Sequence, residues 1–189
     1  MRRAWLALAL LVAASPAVAA ADAGVAEIMR MLSEVPAARS RFVETRTAAM
    51  LNAPLVLTGR LSYRRPSHLE RQVLTPYEER TTIDGVDVVI EGGKGATRRM
   101  SVPPGPLQAL LESTRATLAG DLPALERHFT VEATGPREAW RLVLVPRDPA
   151  LGALVTRIEF SGAKERVLRI EVLEPGGDRT STIVADDSK

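Results

Sequence analysis

Residues able to do chemistry are sparse in this chain. His68 and His128 are the two histidines, and there is no cysteine. Neither histidine has a second ligand at metal-site spacing, so no metal is expected. Glu78 and Glu79 form a carboxylate pair. Adjacent residues of a strand point to opposite faces, so the two cannot flank one substrate as acid and base. Gly92-Gly93-Lys94-Gly95 lacks the Gly-x-x-x-x-Gly-Lys-Ser/Thr spacing of a phosphate loop and leads to a strand, so it reads as a turn. A Ser–His–Asp set drawn from distant positions stays open, but no Gly-x-Ser-x-Gly elbow presents a nucleophile. The expectation is a protein that is no enzyme and carries no cofactor. Arg65 is the charged residue that stands out. It precedes Pro66 and falls on the strand face of Leu61 and Tyr63, where a buried guanidinium needs a partner.

In place of catalytic groups the chain offers aliphatic surface. Aliphatic strand faces serve either as a filled core or as the wall of a cavity for flexible acyl chains. The candidates for such a ligand and lid surface are Leu57, Leu61, Tyr63 and Leu69 on early strands, then Leu107, Leu110 and Leu111 on a helical stretch. Trp140 and Leu142, on a later strand, complete the set.

These residues need a scaffold, and the spacing supplies one. Val25, Ile28, Leu32 and Val35 recur on one helical face, which predicts a helix over 22–35 capped by Asp22 and stopped by Pro36. The period then falls to two. Phe42, Glu44 and Arg46 share a face, and Leu55 to Arg65 alternates up to Pro66, with Gly59 marking a bulge or bend. Strands follow over 69–74, 79–83, 86–91 and 98–102, with Asp84-Gly85 as a hairpin turn. A helix is predicted over 106–118 with Leu107, Leu110, Leu111, Thr114 and Leu118 on one side. Gly120 ends it, and Asp121 caps a short second helix. Strands resume over 129–133, 140–145, 156–160, 167–173 and 179–184. Short turns between consecutive strands mean antiparallel neighbours, and about ten of them in one sheet must curl. The fold class expected is mainly β (α+β): a curved antiparallel sheet forming a barrel or half-barrel, with an N-terminal helix and a helical insertion over it.

Residues 1–21 read as a signal peptide: Arg2-Arg3, an uncharged run from Ala4 to Ala14, the break at Ser15-Pro16, and Ala17-Val18-Ala19 before the cleavage point. The run is about half the ~20 residues of a spanning helix. Cleavage takes two of the 25 basic residues and none of the 23 acidic ones, which leaves a formally neutral chain. A basic footprint for nucleic acid is therefore not expected. The rest, roughly 168 residues from 22 to 189, is one domain by length. Without cysteine it folds without disulfides, and the periplasm is the expected compartment.

The ordered set of motifs resembles the LolA-type family of periplasmic lipoprotein carriers, in a LolA-related branch. It comprises the amphipathic N-terminal helix, the strand with Phe42, and Gly59-Arg60-Leu61-Ser62-Tyr63-Arg64-Arg65-Pro66. Leu69, Pro76 and Asp84-Gly85 follow at the expected intervals. Leu118-Ala119-Gly120-Asp121 and Trp140-Arg141-Leu142-Val143-Leu144-Val145-Pro146 point to the related branch. The resemblance implies an incomplete barrel closed by a helical lid, with an apolar cavity for acyl chains and neither catalysis nor metal. It implies that Arg65 donates hydrogen bonds to the lid. The partners implied are an acyl-chain or lipoprotein cargo, an inner-membrane exporter and an outer-membrane acceptor, with the carrier a monomer. The chain ends at Lys189 without the family's further apolar C-terminal segment, so another envelope lipid is an equal expectation for the cargo.

Overall fold

Helix α1 (Val25–Ser33) buries Ile28, Met29, Met31 and Leu32 along one side, the stripe that the i, i+3, i+7 spacing predicts. The computed structural model describes residues 22–186; the leader expected over 1–21 lies outside them. The cap differs from expectation. Gly24 occupies the N-cap, because Asp22 is engaged elsewhere. The Asp22 carboxylate accepts from the Gly135 N–H at 3.2 Å, and the Ala23 N–H donates to the Gly135 carbonyl at 2.8 Å. Those two bonds staple the start of the domain to a distant turn.

Six strands follow: β1 (Ala37–Thr47), β2 (Leu55–Arg64), β3 (His68–Thr75), β4 (Glu79–Asp84), β5 (Asp87–Gly92) and β6 (Thr97–Ser101). Then come α2 (Pro106–Ala119), α3 (Leu122–Glu126), β7 (Phe129–Thr134) and β8 (Trp140–Pro146). A short α4 (Pro149–Gly152), capped by Asp148, stands where the sequence reads only as a turn. Strands β9 (Arg157–Ala163), β10 (Arg166–Leu173) and β11 (Arg179–Asp186) complete the chain. All eleven strands form one antiparallel sheet in the order β6-β5-β4-β3-β2-β1-β11-β10-β9-β8-β7. The sheet is not closed: β6 and β7 remain its edges, so the mainly β, incomplete barrel is the observed fold.

Two local features shape the sheet. The β2–β3 register shifts between Thr58 and Gly59, and the β9–β10 register shifts between Val167 and Arg169. Such bulges bend strands and increase twist. At Gly59 a Cβ would lie 1.9 Å from the Gln72 carbonyl oxygen and 2.7 Å from the Phe42 ring. Only glycine lets those groups approach so closely.

The inner face carries two apolar clusters. The larger joins α1, α2, α3 and α4 to the inner residues of β7–β10, with Trp140, Phe129 and Phe160 fully buried. Each such side chain contributes about 1.5–3 kcal/mol on burial. The smaller holds Phe42, Leu57 and Val73 between β1, β2 and β3. Helix α2 buries Ala109, Ser113, Ala116 and Thr117. This small-residue side, rather than the leucine side, is the packed one. Small side chains let α2 approach α1 so closely that a Cβ on Gly120 would stand 2.2 Å from the Met29 carbonyl oxygen. Gly120 also takes the left-handed conformation that closes α2, and Asp121 caps α3 by accepting from the Ala124 N–H at 3.1 Å.

Candidate functional site

The helices cover the β7–β10 half of the inner face more fully than the other half. Where they stop, a cavity of 450 Å³ opens between the sheet and the ends of α1 and α2. Its walls come from Leu61, Tyr63, Leu69, Ile83, Ile170 and Val184 on five strands, and from Leu32, Val35, Thr114 and Leu118 on the helical side. That volume lies within the ~300–1,000 Å³ range of small-ligand sites, and its lining is predominantly apolar as theirs is.

One end of this space is polar. Arg71 lines the cavity and lies over the Phe42 ring at 5.1 Å from its centroid. It donates to the Glu44 carboxylate at 3.0 Å and stands 3.8 Å from Glu79. Glu44 is buried, and it also accepts from the Arg46 Nε at 2.7 Å and from the Thr182 hydroxyl at 3.3 Å. A carboxylate removed from water is tolerable only with such donors around it. The alternation of Phe42, Glu44 and Arg46 already places Glu44 on the inner face. Arg71 carries no such signal, because only the β2–β3 register sets it opposite Leu61.

Next to the wall residue Tyr63 stands Arg65, one residue past β2. Its Nη2 donates to the Ala119 carbonyl at 2.5 Å. Ala119 is the last residue of α2, where carbonyls lack helical partners and the helix dipole favours a cation. Gly120 donates back to Ala116 and Thr117, which leaves the Ala119 oxygen to Arg65. The guanidinium itself is exposed, not sunk in the cavity as strand parity alone suggests, because the chain leaves the strand at Arg64. Behind it the Tyr63 hydroxyl is buried without a hydrogen bond of normal geometry. Burial raises the Tyr63 pKa above its ordinary value; Arg65 and, more weakly, Arg115 of α2 pull it back.

The remaining candidates divide by position. Leu61, Tyr63 and Leu69 line the cavity. Leu57 does not; it is packed in the Phe42 cluster. Trp140 and Leu142 are core residues beneath the helices, and Trp140 lies against Gly162 with its indole N–H donated to the Lys164 carbonyl at 2.7 Å. Leu110 packs against the same core. Leu107 is exposed at the start of α2, and Leu111 is half-buried without lining the cavity. The sequence pattern misses Ile83, Ile170, Val184 and Val35 as wall residues. Each reads as an ordinary core residue until the sheet order brings them together.

No helix among the described residues is long and apolar enough to cross a membrane. The family model for outer membrane lipoprotein carrier protein LolA-like proteins matches residues 13–189. Among solved structures, a LolA superfamily protein from Nitrosomonas europaea is similar at 10% identity and TM-score 0.46, over 87% of this chain and 92% of that one. MucB of the Pseudomonas aeruginosa MucA/MucB complex is similar at 15% identity and TM-score 0.49, over 86% of this chain. The match spans 56% of the MucB chain. No curated protein matches.

Proposed function

We propose that this chain, which belongs to the outer membrane lipoprotein carrier protein LolA-like family, is a periplasmic carrier. It holds an acylated or lipidic cargo between the sheet and α2, moves it between membranes, and catalyses no reaction. The observation that carries the reading is the 450 Å³ largely apolar cavity lined by Thr114 and Leu118 of α2, with Arg65 joined to the end of that helix. Each CH₂ moved from water into such a space contributes ~0.8 kcal/mol, so affinity comes from chain length and not from a specific head group. Aliphatic walls suit a cargo defined by its acyl chain, either a lipoprotein or another envelope lipid. Donor and acceptor are then an inner-membrane exporter and an outer-membrane receptor. Residues 22–189 act as one carrier domain, and residues 1–21 as a leader removed on export.

The test is native mass spectrometry of protein taken from its own periplasm, followed by lipid extraction. The expected result is a mass starting near Ala20 or Asp22 with an acylated species bound. A fluorescent fatty acid should bind saturably and be displaced by the extracted lipid. Absence of saturable binding would overturn the carrier reading. Stable binding with no transfer to acceptor vesicles would make the domain a binding module of the envelope without a transport role.

A further inference from the structure

The outer face of the sheet is unlike its inner face, and its chemistry is uneven. On β1 and β2, Arg39, Arg60 and Arg64 are exposed, with Arg39 also bordering the inner cavity, and none has an ion pair or hydrogen-bond partner among the described residues. Together with His68, Glu70 and Gln72 of β3 they line a groove of 520 Å³. Glu70 is the groove's carboxylate, and it stands 3.7 Å from Arg80. Arg60 also sits directly across from Arg41 in the ladder.

Beside the arginines lies an exposed aliphatic patch. Val43 is paired with Ile183 across β1–β11, and Val56 and Leu74 flank them. At its centre a depression of 330 Å³ opens over Gly59, bordered by Val43, Thr58, Leu74 and Ile183. Arg60 lines both this depression and the basic groove, so the two surfaces are continuous.

We infer that this outer face docks on an anionic phospholipid surface. Guanidinium groups bind phosphodiester oxygens through paired N–H donors, and aliphatic side chains beside them enter the headgroup boundary. A second copy of the chain does not fit, because it brings the same arginines against these. An extended acidic peptide does not account for the aliphatic patch, which is spread over four strands and offers no row of side-chain pockets. The inference stands apart from the identity of any cargo in the inner cavity.

The experiment is flotation of the exported protein, its mass first checked for loss of the leader, with vesicles of phosphatidylglycerol and phosphatidylcholine or of phosphatidylcholine alone. Binding should require phosphatidylglycerol and weaken as salt is raised. The Arg39→Gln/Arg60→Gln/Arg64→Gln variant should bind on the order of a hundredfold more weakly. Val43→Thr/Ile183→Thr should weaken binding while leaving the salt dependence unchanged. Arg60→Gln alone should show a smaller loss, which keeps the test valid if the triple variant melts early. Equal binding to both vesicle types, or equal binding by wild type and the arginine variants, would overturn the inference. So would capture of a polyglutamate peptide by the groove with no vesicle binding.

Discussion

Replacing Arg65 with leucine tests whether α2 is held over the cavity by one contact. The wild-type side chain gives a charge-assisted hydrogen bond to the Ala119 oxygen at 2.5 Å. Such bonds contribute ~1.5–3 kcal/mol when sheltered. Arg65 is exposed, so the freed guanidinium regains water and the loss falls to about 1 kcal/mol. Its charge at the C-terminal end of α2 adds ~0.3–1 kcal/mol. Together these shift the opening of α2 by roughly tenfold to thirtyfold. Leucine keeps much of the apolar volume, so the unfolding midpoint should drop only by what the lost contact costs, about 3–8 °C. The assay is stopped-flow release of a bound fluorescent fatty acid, read beside thermal unfolding. Arg64→Leu is the control, because Arg64 points to the opposite face and is exposed. Release should speed up at position 65 and stay unchanged at 64. Equal effects at both positions, or none at either, would refute the argument that Arg65 holds α2 closed.

Glu44→Leu leaves Arg71 without its nearest carboxylate in a largely buried setting, and should cost about 2–3 kcal/mol, measured by urea unfolding. Restoring acceptor capacity with Glu44→Gln should recover part of that loss. Gly59→Ala places a Cβ 1.9 Å from the Gln72 oxygen; overpacking of this kind costs ~1–3 kcal/mol, seen as a lowered melting point. Tyr63 has a folded pKa raised above 10.0 by burial, so its neutral form binds its proton more tightly in the folded state than in the unfolded one. Its contribution to stability is full below pH 10 and is lost as pH rises through the raised folded value. Tyr63→Phe should abolish that alkaline decline in a pH series of unfolding midpoints, without lowering the midpoint at pH 7. Ile83→Trp should fill the cavity and reduce fatty-acid binding while the far-UV circular dichroism spectrum stays that of the wild type.

Much of the fold was legible because local rules decide it. Alternation marks β2 and β8 residue by residue, Asp84-Gly85 forms its turn, and Gly120 with Asp121 ends one helix and begins the next. Arg65 donates to the Ala119 carbonyl of α2, a contact the sequence suggests only through the family resemblance. What was not legible depends on partners distant in the chain. Asp22 looks like a helix cap but binds the Gly135 N–H. Trp140 and Leu142 look like cavity residues as much as Leu61 does. They differ only because α1, α3 and α4 cover their half of the sheet, which no local pattern reveals.

The packing of α2 explains why there is a cavity at all. A helix that buried Leu107, Leu111 and Leu118 against α1 would stand away from it and fill the space over β1–β4. Here Ala109, Ser113, Ala116 and Thr117 face the core instead, so α2 sits close to α1 and stops short of the other half of the sheet. Thr114 and Leu118 then become cavity wall, and Leu107 is left exposed. The apolar surface that a filled core would consume is thereby kept for something else, at the cost of unsatisfied leucine area on α2. A polar contact joins the end of α2 to the end of β2, apart from the small residues that pack α2 on the core. Arg65 is the described residue that makes that bond.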